Sequence, residues 1–450
     1  MQSAALEKTG TRTPVEVDNG DWMHSLIAEM YPICRSITGE GFRQTLAIIG
    51  RHLPIETHHV PSGTAVFDWT VPLEWNIRDA FIKTPGGERV VDFRQSNLHV
   101  VSYSAPVRER MGLDELKRHL FTLPQFPDWI PYRTTYYKRD WGFCLTHRQY
   151  LALTEPEYDV CIDSSFSQGS LTYGECRIPG STPDEILIWC HACHPSLCND
   201  NLSGVSVVTA LGRHLKTLPR RYSYRLVFAP GTIGAITWLS RNAEHVHGIK
   251  HGLVVSCVGD GGHPTYKRSR RGCAEIDRAV HHVLQHRGSP FDIQDFTPHG
   301  YDERQFCSPG FDLPVGCFMR TPHGRFPEYH TSGDDLTLVT PDSLADSLTI
   351  CAAVLDVLES NRCYVNVKPW CEPQLGKRGL YEGLLTTPDR REIELAMLWV
   401  LNLSDGAHDL LDIAERASVP FHVVRRSADL LLSHQLLKEK PVHATATVTT

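Results

Sequence analysis

Three long apolar runs, which alternate with helix-like segments between about residues 140 and 360, constrain the fold of this chain most strongly. The runs are EILIWC (185–190), YRLVFAP (224–230) and HGLVVSCV (251–258). A strand that is apolar on both faces must be covered on both sides, and the intervening helices can supply that cover. The pattern therefore predicts an α/β domain, built on a mixed and mostly parallel sheet that is flanked by helices.

The flanking regions predict further domains, as expected because a chain of 450 residues is longer than one hydrophobic core usually grows. Apolar spacings of three and four over residues 22–52 predict two helices. Short alternating runs between residues 66 and 104 predict a small antiparallel sheet. Three helical segments after Pro388 are typical of a winged helix. We therefore predict a core domain (20–60 and 116–385), an inserted small β domain (61–115) and a C-terminal winged-helix domain (386–440).

Charge and composition limit the partners and the compartment. The formal net charge is −7, and residues 386–440 carry seven Lys/Arg against nine Asp/Glu, which argues against nucleic acid as a partner. No stretch approaches the roughly 18 apolar residues of a membrane span, and the first residues show no signal-peptide pattern. We expect a cytoplasmic protein with reduced cysteines, a small-molecule partner, no membrane partner and scope for homo-oligomers.

The segment CHACHPSLCNDNLSG (190–204) places His191, His194 and Asp200 directly after a predicted buried strand. Ligands collect at the carboxyl ends of such strands, and zinc prefers imidazole and carboxylate ligands. A second loop, PEYHTSGDDL (327–336), offers His330 as a further ligand. The pattern predicts a zinc site. The C-x-x-C pair Cys190 and Cys193 also admits a redox interpretation, which we disfavour because the pair closes a strand instead of opening a helix.

Several longer stretches support a family assignment, among them YPICRSITGEG, HACHPSLCNDNLSG, YDERQFCSPGFDLPV and EYHTSGDDL. Over residues 22–437 the chain resembles a bacterial family of domains of unknown function (DUF4910 and DUF2172), which is similar in turn to zinc aminopeptidases of the M28 type. That resemblance implies metal ligation by His191, Asp200 and His330, with His194 as a rival ligand. Two further acidic ligands of two-metal aminopeptidases correspond to Thr232 and Ser256, so the resemblance implies one zinc ion.

One departure from the family pattern concerns the general base. Related sequences read Pro-Glu-Thr-Ile-Gly where this chain has Gly231 in place of the glutamate. A positioned general base contributes about 10² to 10⁴ in rate, so its loss predicts weak hydrolysis unless another carboxylate replaces it. Glu303 and Glu328 are the candidates for that replacement. Alternatively, the chain has abandoned hydrolysis.

The resemblance also implies a substrate class. A free amino group would meet acidic side chains, for which Asp260 is the candidate, while Arg133, Tyr136 and Trp141 could line the entrance. The sequence thus predicts a mononuclear zinc, aminopeptidase-like hydrolase of a small peptide or aminoacyl compound, within a biosynthetic pathway. The alternatives are a non-hydrolytic tailoring enzyme and a catalytically silent binding or assembly protein. A DNA-binding regulator is disfavoured by the acidic C-terminal segment.

Overall fold

A computed structural model of the protein describes residues 19–381 and 390–440. These residues form two units, the first containing the described residues up to Ala274 together with Pro290–Thr349, and the second containing Glu275–Ser289 and the residues from Ile350 onward. The predicted domain boundary at 385/386 and the N-terminal residues without a signal-peptide pattern lie outside the described ranges. In the described part of the chain, no helix is both long and apolar enough to cross a membrane.

Twelve α-helices are assigned among the described residues. They are α1 (Asn19–Met30), α2 (Glu40–Gly50), α3 (Leu113–Leu116), α4 (His147–Leu151), α5 (Gly204–Lys216), α6 (Ile233–Asn242), α7 (Glu275–Gln285), α8 (Glu303–Phe306), α9 (Pro341–Ser360), α10 (Arg390–Leu403), α11 (Leu410–Ala417) and α12 (Phe421–Ser433). The first two confirm the helix pair that was predicted over residues 22–52.

The strands of the described residues form five sheets. They are β1 (Glu56–Pro61), β2 (Ala65–Val66), β3 (Trp69–Thr70), β4 (Glu74–Lys83), β5 (Arg89–Asp92), β6 (Val107–Gly112), β7 (Leu120–Phe121), β8 (Phe143–Cys144), β9 (Glu157–Ser167), β10 (Ser170–Ile178), β11 (Glu185–His191), β12 (Ser223–Ala229), β13 (Ile249–Val255), β14 (Thr265–Lys267), β15 (Asp292–Gln294), β16 (Val315–Met319), β17 (Cys363–Asn366), β18 (Asp405–Asp409) and β19 (Leu437–Glu439).

The largest sheet lies in the first unit and has eight strands in the order β1-β10-β12-β11-β13-β16-β14-β15. Its four central strands, β12, β11, β13 and β16, run parallel to one another, whereas β1, β10 and β14 each pair antiparallel with a neighbour. Nearly every residue of the central strands is buried, because helices such as α5 contact the sheet. The predicted mixed α/β sheet is confirmed.

A second, four-stranded antiparallel sheet has the order β5-β4-β9-β6. Three of its strands come from the segment that was predicted as a small β domain. The fourth, β9, lies within the range 116–385 that was predicted as part of the core domain, and it pairs with β4 and β6. Alternating burial fits β9 to either sheet. Its pairing with β4 and β6 is a long-range contact that residue periodicity does not encode.

The second unit contains the helices α7 and α10 to α12 and a three-stranded antiparallel sheet in the order β18-β17-β19. Asp409 caps α11 by accepting a hydrogen bond from the backbone N–H of Asp412, and Asp412 reciprocates. Arg278 of α7 forms ion pairs with Asp412 (2.7 Å) and Glu415 (2.6 Å) of α11. The helices α10 to α12 with this small sheet are the elements expected of a winged helix.

Candidate metal centre

The candidate centre lies at the carboxyl edge of the parallel sheet. His191 is the last residue of β11 and pairs in register with Ala229, the last residue of β12. After a short loop, the chain turns through Cys198–Ser203 into α5, and this turn brings Asp200 back toward His191. Asp200 is fully buried. The strand-to-helix connection thus places a carboxylate beside the imidazole that ends the strand.

Three histidines surround the carboxylate of Asp200. His191 Nε2 lies 2.8 Å and His194 Nδ1 lies 3.6 Å from its Oδ1 atom, whereas His330 Nε2 lies 3.0 Å from its Oδ2 atom. Among the described residues, one group of three has metal-ligand atoms that all lie within 4.8 Å of one another, and its members are His191, His194 and Asp200. The second histidine of the loop and the distant His330 therefore approach different oxygens of the same carboxylate.

Two observations show that these residues fit a zinc ion: they are imidazole and carboxylate ligands, and one of their nitrogen atoms lacks a hydrogen-bond partner. His194 Nδ1 is buried and has no hydrogen-bond partner. Burial lowers the pKa of His194 to about 3, although the Asp200 carboxylate opposes that shift, so the imidazole is neutral and its free nitrogen can ligate a metal. Tetrahedral zinc with bonds of about 2.0–2.1 Å separates neighbouring ligands by about 3.3 Å, which is close to the observed spacings.

The charge of Asp200 is stabilised by its surroundings. Burial alone would raise its pKa, but the adjacent His194, His191 and His330 hold the pKa of this carboxyl well below its usual range. For His191, burial acts to lower the pKa. The hydrogen bond and the charge of Asp200 outweigh burial, so the pKa of His191 is raised. A buried carboxylate that stays ionised beside imidazoles supplies a negative charge and the donor atoms that zinc binds in proteins.

A network of hydrogen bonds holds the Asp200 turn in place. The carboxylate of Asp334 accepts hydrogen bonds from the backbone N–H groups of Asn199 (2.5 Å) and Asp200 (2.9 Å). The side chain of Asn201 donates to the carbonyls of His191 and Val255 at 3.1 Å and accepts from the backbone N–H of Cys257 at 3.1 Å. Such contacts orient a metal ligand before any ion binds.

Aromatic side chains wall the centre. The ring of Tyr301 stacks on His191 with centroids 5.2 Å apart, and the ring of Tyr329 stacks on His330 at 3.9 Å. Tyr132 meets both His194 and His330 edge to face, at 5.2 and 5.1 Å, and its backbone N–H donates to the carbonyl of His330. These rings pack against the imidazoles; His191 is buried, whereas the side chain of His330 is 34% exposed.

Gly231 follows β12 and lies beside His191. A Cβ atom placed on Gly231 would meet Cys193 Sγ and His191 Cβ at 3.8 Å and His191 Cγ at 3.9 Å, which are ordinary van der Waals distances. The space that a glutamate side chain would enter from this position therefore borders the candidate centre. The next residue, Thr232, has its backbone N–H bound to Asp302 Oδ1 at 2.7 Å, and Ser256 is fully buried after β13.

Glu303 lies in the first turn of α8 and is fully buried. Its Oε1 atom pairs with Lys267 Nζ at 2.8 Å, while its Oε2 atom is buried without a hydrogen-bond partner. Burial raises the pKa of Glu303, and the charge and hydrogen bond of Lys267 oppose that shift. One oxygen of this carboxyl group is thus free to accept a proton. The carboxylate of Glu328 makes no contact with Glu303 or Lys267. The backbone carbonyl of Glu328 accepts a hydrogen bond from the hydroxyl of Thr331.

Two of the predicted substrate-binding residues, Asp260 and Arg133, lie in different environments. Asp260 is buried, and its oxygens accept hydrogen bonds from Asn199 Nδ2 (2.8 Å), Thr321 Oγ1 (2.6 Å) and the backbone N–H of Gly262 (2.6 Å). Through Asn199, Asp260 therefore supports the Asp200 turn. Arg133 is exposed, and its guanidinium lies over the ring of Phe121.

The other two predicted entrance residues are aromatic. The hydroxyl of Tyr136 lies 3.1 Å from that of Tyr132, which joins it to the wall of the centre. Trp141 stacks on His119 at 3.8 Å and packs against the hydrophobic core that contains Phe143. The structure thus connects Tyr136, through one hydroxyl contact, to the histidines.

The thiols near the centre are buried. Burial raises the pKa of Cys193 to about 12 and raises that of Cys190 well above its usual value. Both groups are therefore protonated at neutral pH, whereas redox and zinc-binding cysteines act as thiolates. This chemistry argues against the redox interpretation of the C-x-x-C pair.

Residues that the sequence analysis did not select complete the site. Asp302 accepts hydrogen bonds from Trp189 Nε1 and from Thr232, and Arg35 donates from Nε to the carbonyl of His194 at 2.8 Å. Asp302 directly precedes Glu303, and Asp334 lies four residues after His330. Their adjacency to selected residues was the available signal, but their hydrogen-bond partners are distant in sequence, so residue patterns could not identify these roles.

Comparison with known proteins places this chain in a family. The family described as "Domain of unknown function (DUF4910)" matches residues 24–361, and a winged helix-turn-helix family matches residues 362–439. A protein of Clostridium acetobutylicum, provisionally named a polysaccharide biosynthesis protein with an aminopeptidase-like domain, is 52% identical over 421 residues, which are 94% of this chain and 97% of that protein.

Solved structures agree in fold. A crystal structure from Clostridium acetobutylicum, described provisionally as a peptidase, is 51% identical, with a TM-score of 0.90 over 94% of this chain and 97% of that one. A zinc aminopeptidase from Bacillus subtilis is 12% identical, with a TM-score of 0.56 over 76% of this chain and 95% of that one. The M28 peptidase precursor of Shewanella amazonensis is 14% identical, with a TM-score of 0.51 over 76% and 97%.

The two distant aminopeptidases establish likeness of fold. The match of the DUF4910 family to residues 24–361 and the 52% identical relative establish the family to which the chain belongs. The chain belongs to the DUF4910 family, with an aminopeptidase-like fold and a C-terminal winged helix.

Proposed function

We propose that the protein is a mononuclear zinc, aminopeptidase-like hydrolase that acts on a small peptide or an aminoacyl compound. The observation that carries the proposal is the convergence of His191, His194 and Asp200 at one sheet edge, with the buried Nδ1 atom of His194 lacking a partner. His330, on the second oxygen of Asp200, would complete the ligand set. When bound there, zinc would polarise a substrate carbonyl and lower the pKa of a water molecule toward about 7.

The protein contributes orientation and charge. Asp334 and Asn201 hold the Asp200 turn, so the carboxylate presents one oxygen to His191 and His194 and the other to His330. Tyr301 stacks on the buried His191, and burial of this imidazole strengthens its electrostatic interaction with Asp200. This rigid set orders the groups before a substrate arrives and therefore reduces the reorganisation that the reaction requires.

Glu303 is our candidate for the group that accepts the proton. Its Oε2 atom is unpartnered, its charge acts on His191, and its raised pKa makes it a better base than an exposed carboxylate. Lys267 holds the other oxygen and fixes the position of the carboxyl group. The pairing with Lys267 also limits its basicity, so we expect slower hydrolysis than from an enzyme with glutamate at position 231.

The name of the Clostridium acetobutylicum relative refers to polysaccharide biosynthesis, and this supports a place for the reaction within a biosynthetic pathway. A free amino group on the substrate and a carbonyl at the metal would suit an aminoacyl amide or ester. We further propose that the protein acts in the cytoplasm, without a nucleic-acid or membrane partner.

Metal analysis combined with kinetics tests the proposal. The purified protein should contain about one equivalent of zinc per chain in the Asp200 centre, and a chelator should remove its activity on a panel of aminoacyl amides. Readdition of zinc should restore the activity. A His194→Gln variant should fold, as judged by circular dichroism, and lose both metal and activity. Full activity in the folded, metal-free protein would contradict the proposal.

A matched pair of variants tests the base. Glu303→Gln preserves the shape of the side chain and its contact with Lys267, and it should reduce kcat about 10²-fold or more. Glu328→Gln, on the His330 loop, is the control and should leave kcat unchanged within about twofold. If Glu328→Gln abolished activity and Glu303→Gln did not, the assignment of the base would pass to Glu328.

A second candidate function is a non-hydrolytic tailoring or binding role for the same cleft. Gly231 favours it, because the side chain that would serve as base is absent, and so does the engagement of Glu303 by Lys267. In that case the protein would bind zinc with the same residues and retain amino compounds without cleaving them. Isothermal titration with aminoacyl amides, followed by chromatography of the recovered ligand, separates the two functions.

A further inference from the structure

A second group of metal-ligating side chains lies in the winged-helix unit, apart from the Asp200 centre. The segment HHVLQH (281–286) places His282 and His286 four residues apart on and just after α7. The backbone N–H of His286 donates to the carbonyl of His282 at 3.2 Å, so the helical turn continues through both residues. Their ring centroids lie 4.4 Å apart with planes inclined by 49°. Residues at this spacing share one face of a helix, the arrangement by which two imidazoles bind one zinc ion.

One nitrogen of this pair lacks a partner in the protein. His282 is 2% exposed, and its Nε2 atom is buried without a hydrogen bond. Burial, followed by the nearby histidines His286 and His281, lowers the pKa of His282 to about 4, so the ring is neutral and keeps a lone pair. Leaving a buried polar atom unsatisfied destabilises the fold, and a bound ligand would offset that cost.

Two further groups come from neighbouring helices of the same unit. His422, the second residue of α12, is exposed and lies near enough to influence the charge of both His282 and His286. Glu392, in the first turn of α10, stabilises the protonated form of His286. The ion pairs of Arg278 with α11 hold α7 in place.

We propose that His282, His286 and His422 bind one divalent cation of the zinc, nickel or copper class, with Glu392 or water as the fourth ligand. Imidazole nitrogen suits these three metals in particular. Among the described residues, only the Asp200 centre has three ligand atoms within 4.8 Å of one another, so two ligands of the second site are preformed and the exposed His422 must rotate toward them. An ion at this position would link α7 to α12.

The test counts metal in the intact chain. Wild-type protein and three variants, His286→Gln, His422→Gln and His281→Gln, are saturated with Zn²⁺, dialysed against a weak chelator and analysed by mass spectrometry. His286→Gln and His422→Gln should each bind one equivalent less than wild type, and His281→Gln, the control on the same helix, should bind the same number. These substitutions avoid the buried His282, whose replacement could prevent folding.

A second readout separates this site from the Asp200 centre. The His191→Ala variant should lose the metal of the first centre and keep the equivalent that depends on His286. With Co²⁺ as probe, the difference spectrum between His191→Ala and a double variant that carries both His191→Ala and His286→Gln should show the visible bands of imidazole-bound cobalt. Equal stoichiometry in wild type, His286→Gln and His422→Gln would overturn the inference and leave the proposed function untouched.

Discussion

Restoring a glutamate at position 231 should convert the protein into a faster hydrolase. A Cβ atom at this position would meet neighbouring atoms at 3.8 Å or more, and the backbone of Gly231 is outside the left-handed region. Replacing a glycine at such a position changes the free energy of unfolding by about 1 kcal/mol or less. The Gly231→Glu variant should therefore fold as the wild type does.

The kinetic effect should be larger than this change in stability. A positioned general base contributes about 10² to 10⁴ in rate, which corresponds to about 3 to 5 kcal/mol of the activation barrier. The new side chain would start beside the ring of His191, so its carboxylate could reach the space next to the metal ligands. The increase should fall in kcat, because the base acts in the transition state and contributes little to substrate binding.

The assay is the hydrolysis of aminoacyl p-nitroanilides by zinc-loaded protein, with wild type, Gly231→Glu, Gly231→Gln and Gly231→Ala compared at several pH values. The glutamine variant matches the shape of the glutamate without its basicity, and the alanine variant reports the effect of the Cβ atom alone. Only Gly231→Glu should gain activity, with a new acidic limb in its pH profile. Equal rates for the Glu and Gln variants, with both folded and metal-bound, would refute the reasoning.

Three further predictions concern the centre and the stability of the first unit. Asp334→Asn should weaken zinc binding about 10- to 100-fold in a chelator competition, because an amide N–H would face the backbone donors of the Asp200 turn. His194→Gln should weaken it further, since it removes a ligand and not a supporting contact. The hydrogen bond from Arg43 lowers the pKa of Glu74 to about 2, so this pair stabilises the fold above about pH 4.5, and that stability is lost as the pH falls toward 2. Glu74→Gln should therefore reduce the free energy of unfolding in urea by about 1–3 kcal/mol at pH 7 and flatten its dependence on pH between 4.5 and 2.

The strands whose two faces are both buried could be predicted from the sequence. Runs such as EILIWC are apolar because both faces of the central strand are covered, and this regularity is visible in the residues themselves. The membership of β9 in the four-stranded sheet could not be predicted in the same way. Its partners, β4 and β6, lie 40 or more residues away, and pairing over that separation depends on competition between sheets and not on local pattern.

The same division applies to the candidate centre. His191, His194 and Asp200 are close in sequence and follow a strand, so their residue types and spacing indicated a metal site. The arrangement around Asp200, with His330 on one oxygen and the other two histidines on the other, was not predictable, because it depends on how two distant loops approach. Glu303 was selected from the family-like stretch YDERQFCSPGFDLPV as a carboxylate that could replace the missing base, and its pairing with Lys267 became evident only in the folded chain.

By itself, the sequence determined the buried parallel strands and the position of His191 at the end of β11, because burial on both faces is visible in the residue types of a strand. The absence of a glutamate at position 231 followed from the resemblance to the family. The tertiary structure decided which polar atoms are satisfied: it left Nδ1 of His194 and Oε2 of Glu303 without partners and engaged both oxygens of Asp260. Hydrogen bonds form between groups that are near in space, and residues far apart in the chain meet only when the whole domain folds.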